Sequence, residues 1–173
     1  TRTGISERRQ VNKNEAASDL GTKAALKALK EAGVSPEEVD MIVVATVTPD
    51  MAFPATGCII QENIKAINAA AFDISAACSG FLYGLSIANE FVSSGTYDTV
   101  LVIATEVFTR FLDWEDRGTC ILFGDGAGAA VVKPVEEGKG FLSFDLGAQG
   151  SGADLLKIPA GGSRMPASKE TIE

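Results

Sequence analysis

The 173-residue sequence contains no histidine. Histidine is the commonest general base of enzymes, so its absence excludes a His-ligated metal site and a self-contained Ser-His or Cys-His pair within these residues. Cysteine is scarce as well, with only Cys58, Cys78 and Cys120, at wide and irregular spacing. This number and spacing fit neither a disulfide framework nor a zinc site, and they favour free thiols in a reducing compartment.

Long apolar runs and strongly basic stretches are also missing. No uninterrupted apolar run reaches the roughly eighteen residues that a membrane span requires, and the basic N-terminal segment lacks the pattern of a signal peptide. The net charge is −8 and no run of Lys or Arg is longer than two residues, which argues against nucleic acid as a partner. We therefore predict a cytoplasmic protein that binds neither a membrane nor nucleic acid.

Apolar residues make up 46% of the sequence, which is enough for a sizeable core. Helical spacing of apolar residues predicts helices over residues 14–32 and 80–94, and a proline at position 54 suits the start of a helix over residues 54–64. A capping-box pattern over residues 35–38 predicts a short helical turn. Apolar or β-branched runs predict strands over residues 41–45, 69–74, 99–104, 120–123, 129–132 and 140–146. Residues 160–168 are rich in Gly, Pro and Ser and predict a loop. The alternation of strands and helices predicts an α/β fold with a mainly parallel sheet.

The most informative segment runs from Asp73 to Phe81, where a buried strand leads through small residues to Cys78 at the start of an apolar helix. Unpaired N–H groups and the helix dipole at this position would stabilise a thiolate. The small neighbouring residues leave room for a substrate to approach the sulfur. From these residues alone, a nucleophilic cysteine and an inert buried cysteine are about equally compatible with the pattern.

The string Ala76-Ala77-Cys78-Ser79-Gly80-Phe81 resembles the nucleophile motif of the β-ketoacyl-acyl carrier protein synthase III family, which has the thiolase fold. Further segments resemble that family in the same order and at matching spacing, namely residues 2–5, 7–8, 52–54, 116–119 and 123–129. The resemblance covers essentially the whole chain. It implies a thiolase-like α/β fold, with residues 1–173 forming the N-terminal half, a mixed and mainly parallel sheet, and helices on both faces.

The resemblance also implies an activity. Cys78 would accept an acyl group from a short acyl-coenzyme A, and the thioester would condense with malonyl-acyl carrier protein, with loss of carbon dioxide, in the step that initiates type II fatty acid synthesis. Coenzyme A enters as part of a substrate, so no resident cofactor and no metal are expected. A related coenzyme A-dependent condensing enzyme and a non-catalytic interaction unit of the same fold are the alternatives.

Six further residues take roles from the resemblance alone. Arg2, Thr3 and Arg117 would contact coenzyme A at the mouth of the substrate tunnel, where a guanidinium can stack on adenine and bind phosphate. Leu122 and Phe123 would line the tunnel near the sulfur, although residues of this kind are as often plain core. Phe53 would reach across a homodimer to close the partner's acyl pocket, and its bulk would favour short acyl groups.

The glycine-rich string from Gly124 to Ala129 fits the loose dinucleotide fingerprint G-x-G-x-x-A. That fingerprint must open a helix, whereas the residues that follow it are β-branched and are soon interrupted by Pro134. We therefore predict a tight turn near the nucleophile, in which Asp125 is a turn residue and no nucleotide is bound.

The family stabilises the developing charge with a His and an Asn side chain from its C-terminal half. The present sequence contains no His, and none of its Asn residues lies in a matching segment. The chain also begins without Met and ends on a polar stretch, so we expect a fragment whose coding sequence continues into a second half with both residues. Alone, these 173 residues are expected not to condense.

Overall fold

The computed structural model describes residues 3–171. Three α-helices lie over Ala17–Ala32 (α1), Thr56–Ile64 (α2) and Gly80–Ser93 (α3), and four strands lie over Met41–Ala45 (β1), Ala70–Ile74 (β2), Val100–Val107 (β3) and Asp125–Val132 (β4). Among these residues, no helix has both the length and the apolar composition that crossing a bilayer demands.

The four strands form one mixed sheet in the order β2-β1-β3-β4. β1 pairs in parallel with both β2 and β3, while β4 runs antiparallel to β3. All five residues of β1 are buried, as expected for a continuous apolar strand at the centre of a sheet. The predicted mixed and mainly parallel sheet is confirmed.

Helices cover both faces of the sheet. On one face, α1 and α2 pack against Ile42, Val44, Leu101 and Ile103. On the other face, α3 packs against the side chains of opposite parity, including Val43 and Val102. Because successive strand residues point to opposite faces, this arrangement buries β1 and β3 on both sides.

Several boundaries follow the local signals in the sequence. α1 ends at Ala32 and is capped by Gly33, whose φ of 65° is the left-handed conformation that glycine adopts without a steric penalty. The capping box after it forms a 3₁₀ turn over Pro36–Glu38, in which the Ser35 N–H donates to Glu38 Oε2 at 2.8 Å.

Four predicted elements differ in the structure. Pro54 lies outside α2, which begins at Thr56, because Asp73 rather than the proline ring organises the start of that helix. Residues 120–122 form a 3₁₀ turn instead of a strand, and residues 140–146 form no strand. The glycine-rich string is not a tight turn, since residues 125–132 form β4 along the whole of β3. Residues 160–168 contain no helix or strand, as predicted.

Candidate active site around Cys78

Cys78 follows β2 at the end of the sheet where the parallel strands reach their carboxyl ends. It lies in a 3₁₀ turn over Ala77–Ser79, and α3 begins directly afterwards at Gly80. Ala77 has a φ of 46°, in the left-handed region that costs a residue with a Cβ about 1–3 kcal/mol. This sharp turn leaves Cys78 exposed, as a reactive thiol must be.

Small residues bring α3 close to the sheet. A Cβ placed on Gly80 would lie 2.9 Å from Ala45 Cβ, and one on Gly84 would lie 2.8 Å from Val102 Cγ1. Only Gly80, Gly84 and Ala88 of α3 are buried, while Leu82 is 57% exposed. α3 therefore rests on the sheet through a stripe of small residues, with partly buried Phe81 and Leu85 packed beside it, and this contact fixes Cys78 relative to β1 and β3.

The Cys78 pocket is a cavity of about 380 Å³ on the carboxyl side of the sheet. Its walls come from the segments after β1 and β3, from the 116–123 region and from the C-terminal loop; its lining residues are Val47, Ala77, Cys78, Phe108, Phe111, Leu112, Thr119, Phe123, Leu156, Lys157 and Ile158. The lining is mostly apolar with few polar groups, a composition typical of sites for small molecules.

Phe123 is the one predicted tunnel residue that lines this pocket. Its ring lies 5.0 Å from the ring of Phe108, measured between centroids, at an angle of 31°. Leu122 next to it is 47% exposed and is not part of the pocket wall, although its carbonyl accepts a hydrogen bond from Arg8 Nη2 at 2.9 Å. Sequence reasoning placed both in the tunnel, and the structure places only Phe123 in the cavity beside Cys78.

The turn that carries Arg117 is organised by Asp116. Its carboxylate accepts hydrogen bonds from the Gly118 N–H at 2.9 Å and from the Thr119 hydroxyl, and these bonds hold the pKa of Asp116 below its ordinary value. Thr119 lies in the pocket wall, while Arg117 is exposed. The turn therefore presents a guanidinium to solvent within two residues of the cavity.

The remaining predicted site residues are not in the cavity. Phe53 is 86% exposed in the loop between β1 and α2. Thr3 is exposed, and its hydroxyl oxygen accepts a hydrogen bond from the Ile5 N–H at 3.3 Å. Arg2 lies outside the described residues. The coenzyme A roles of Arg2, Thr3 and Arg117, and the predicted reach of Phe53 into a partner's acyl pocket, stay predictions.

Asp125 has a structural role at the start of β4. Its carboxylate accepts hydrogen bonds from the Val11 N–H at 2.8 Å, the Thr109 N–H at 2.9 Å and the Thr109 hydroxyl at 2.6 Å. These bonds tie the N-terminal segment to the sheet. The prediction that Asp125 is a turn residue is wrong, because Asp125 is the first residue of strand β4.

Glu106, which sequence reasoning missed, lies beside the pocket near the end of β3. Its carboxylate accepts hydrogen bonds from the Val47 N–H at 2.9 Å and from the Thr48 hydroxyl at 2.5 Å. Burial raises the pKa of Glu106 above its ordinary value against the opposing effect of these bonds. Only its position as the single charged residue of a mostly apolar strand could have drawn attention to it.

The C-terminal loop was missed as a source of pocket residues too. Leu156, Lys157 and Ile158 line the cavity from a segment with no regular secondary structure, which carries no periodic signal in the sequence. Within residues 3–171, no three His, Cys, Asp or Glu side chains are grouped as a metal site would require.

Comparison with known proteins agrees with this geometry. Residues 72–150, which include Cys78, Arg117 and Phe123, match the family model described as 3-Oxoacyl-[acyl-carrier-protein (ACP)] synthase III. The whole chain is 60% identical to a beta-ketoacyl-[acyl-carrier-protein] synthase III from Caldanaerobacter subterraneus and 58% identical to one from Clostridioides difficile, in each case over 52% of the relative.

Comparison of the fold with solved structures gives matches to the same group of proteins. The crystal structure of a synthase III from Thermus thermophilus matches 88% of this chain with a TM-score of 0.83 and 45% identity, over 47% of its own length. The chain thus spans about half the length of the curated relatives it matches. With a thiolase-like α/β fold and a matching motif at Cys78, the chain is similar along its whole length to one half of β-ketoacyl-acyl carrier protein synthase III proteins.

Proposed function

We propose that this chain supplies the acyl-accepting part of a condensing enzyme that initiates type II fatty acid synthesis. The Cys78 sulfur attacks the carbonyl of a short acyl-coenzyme A, such as acetyl-coenzyme A, to form a thioester on the protein and release the coenzyme A thiol. The observation that carries this proposal is the exposed thiol of Cys78, held on a sharp turn and open to a mostly apolar pocket.

The size and lining of the pocket suit this step. At about 380 Å³ the cavity is at the small end of the usual range for small-molecule sites. Apolar walls formed by Phe108, Phe111 and Phe123 favour a short acyl chain and exclude water from the thioester. Arg117, with Arg2 and Thr3, then binds the coenzyme A portion outside the cavity, where the negative phosphates meet guanidinium groups.

In the second step, malonyl-acyl carrier protein loses carbon dioxide and its carbanion attacks the Cys78 thioester, which gives a 3-oxoacyl-acyl carrier protein. The family uses a His and an Asn side chain to stabilise the charge that develops on oxygen. The sequence has no His, so we propose that residues 1–173 form the N-terminal half and accept the acyl group without completing condensation.

The proposed localisation, assembly and cofactor requirement also follow from the resemblance to the family. The protein acts in the cytoplasm as a homodimer, and exposed Phe53 reaches the partner's acyl pocket. No resident cofactor is required, because coenzyme A arrives with the substrate. The related coenzyme A-dependent condensing enzymes share the first step, and analysis of the product separates them from this proposal.

Competitive alkylation tests whether Cys78 is a nucleophile or a passive cysteine of a non-catalytic unit. Cys58 is the matched control because its thiol is also exposed, whereas Cys120 is buried. With iodoacetamide near neutral pH, we expect Cys78 to react at least about tenfold faster than Cys58, and acetyl-coenzyme A to protect Cys78 alone. Equal rates at Cys58 and Cys78, without protection, would favour the non-catalytic unit.

A further inference from the structure

One wall of the Cys78 pocket is held by a hydrogen-bond network centred on Glu106. β1 and β3 are parallel neighbours with Ala45 beside Ala104, so the chain that continues past β1 runs next to Glu106. Both oxygens of the Glu106 carboxylate accept hydrogen bonds from this segment. Oε1 accepts from the Val47 N–H, and Oε2 accepts from the Thr48 hydroxyl. Val47 is in contact with the same cavity as Cys78.

Thr48 extends the network to a second part of the wall. While its hydroxyl donates to Glu106, its oxygen accepts a hydrogen bond from the Val107 N–H at 2.8 Å. Phe108, the residue after Val107, lines the pocket and packs against Phe123. One buried hydroxyl and one carboxylate therefore fix two adjoining wall segments, at Val47 and at Phe108.

Burying the Glu106 carboxylate costs free energy, so the network differs from an ordinary surface contact. Glu106 is half-buried, and among the described residues it forms no ion pair with Lys or Arg. A half-buried carboxylate without a cation destabilises a fold unless its hydrogen bonds offset the lost hydration. Such groups cluster where a protein needs a fixed geometry for binding or catalysis.

We propose that Glu106 is a positioning residue for the acyl-transfer step: its carboxylate fixes the Val47 and Phe108 walls so that an acyl thioester reaches the Cys78 sulfur in a reactive orientation. Glu106 acts through Val47 and Thr48 and does not itself touch the reacting atoms. This role rests on the proposed acyl-accepting function of Cys78. The role predicts that loss of Glu106 slows acylation of Cys78 but not its alkylation, because a small alkylating reagent does not have to be oriented by the pocket wall.

The test compares two reactions of the same thiol in the natural polypeptide that contains residues 1–173. Glu106→Ala removes both acceptors, and Glu106→Gln keeps the shape but replaces one acceptor oxygen by an NH₂ group. The matched control is Asp40→Ala, because Asp40 accepts the Asp98 and Thr99 N–H groups at 3.0 and 2.9 Å at the opposite end of β1. Its loss should cost folding stability without touching the pocket.

We expect both Glu106 variants to lower the rate of acylation by acetyl-coenzyme A, by about tenfold or more for Ala and less for Gln, since a misplaced reactant loses rate steeply. Alkylation by iodoacetamide should stay within about twofold of the wild type in both, because the thiol itself is unchanged. Asp40→Ala should leave both rates unchanged. Unchanged acylation in Glu106→Ala, or equal losses in Glu106→Ala and Asp40→Ala, would overturn the proposal.

The rate of amide hydrogen exchange over residues 46–49 measures how firmly this wall segment is held, and it does not depend on acylation. We expect faster exchange there in Glu106→Gln, which is the nearly isosteric variant and the safer one to fold, and no change there in Asp40→Ala. If the wild type is not acylated, the proposed function fails whatever the variants do. If the wild type is acylated and exchange at residues 46–49 is unaffected by Glu106→Gln, only the positioning role fails.

Discussion

At the residue scale, the site depends on two side chains in different electrostatic settings. Cys78 is exposed on a turn whose backbone is strained at Ala77, while Glu106 is half-buried and bonded to a loop. Strain and burial of charge both lower stability, and both occur within one end of the sheet. Proteins retain such costs mainly where function requires the geometry.

The raised pKa of Glu106 predicts how stability depends on pH. Since the folded protein holds this proton more tightly than the unfolded chain, the contribution of Glu106 is fully present below its unfolded pKa and is lost as the pH rises through the raised folded value. Gln at this position cannot ionise. The free energy of unfolding of Glu106→Gln minus that of the wild type should therefore increase as the pH rises above about 4.5.

Urea unfolding of both proteins at a series of pH values measures this difference. A Glu106 difference that decreased with rising pH would mean that the folded state favours the carboxylate, in contradiction to the burial described above.

At the scale of elements, the site is placed by the close approach of α3 to the sheet. Its buried positions Gly80, Gly84 and Ala88 are spaced by four and form one stripe, which rests on β1 and β3. Because the helix begins two residues after Cys78, any displacement of its first turns moves the thiol. The packing of α3 on the sheet therefore determines the position of the Cys78 thiol.

Gly84→Ala should lower the free energy of unfolding by about 1 kcal/mol, because overpacking typically costs more than the gain in helix propensity returns. The added Cβ would lie 2.8 Å from Cγ1 of Val102, a short and branched side chain that cannot rotate away. Gly128→Ala in β4 is the control, because a Cβ placed there would meet no atom within 4 Å. Equal losses in chemical denaturation would contradict the close-approach account.

The same scale shows which elements the sequence could predict. The periodic apolar pattern ending at Gly33 and the continuous run at β1 are local signals, and α1 and β1 lie close to their predicted bounds. Residues 120–122 form a turn in which the Leu122 N–H donates to the Thr119 carbonyl at 3.0 Å. β4 owes its structure to pairing with β3, a distant partner that a glycine-rich string does not indicate.

The residues of the site also differ in whether the sequence could identify them. Cys78 and Phe123 were identifiable because they belong to short motifs, and the structure brings both to one cavity. Val47, Phe108 and Glu106 enter the site only because β1 and β3 are neighbours in the sheet. Their contribution depends on three-dimensional register, which the order of residues along the chain does not reveal.

At the scale of the whole molecule, the groups needed for the two steps of the proposed reaction are divided between this chain and residues it does not contain. The described residues hold an exposed thiol, a cavity and an exposed guanidinium near it, while the sequence contains no histidine for the proposed condensation step. The chain matches its relatives along its full length but covers about half of theirs. Acyl acceptance should therefore be separable from condensation.

The most direct test is intact mass spectrometry of the 173-residue chain after incubation with acetyl-coenzyme A, followed by peptide mapping. The account predicts the gain of one acetyl group on the peptide that carries Cys78, no gain in Cys78→Ser, and no 3-oxoacyl product when malonyl-acyl carrier protein is added. An unmodified chain whose fold is intact and whose Cys78 is reduced, or an acetyl group on Cys58 instead, would contradict the assignment of Cys78 as the acyl-accepting nucleophile.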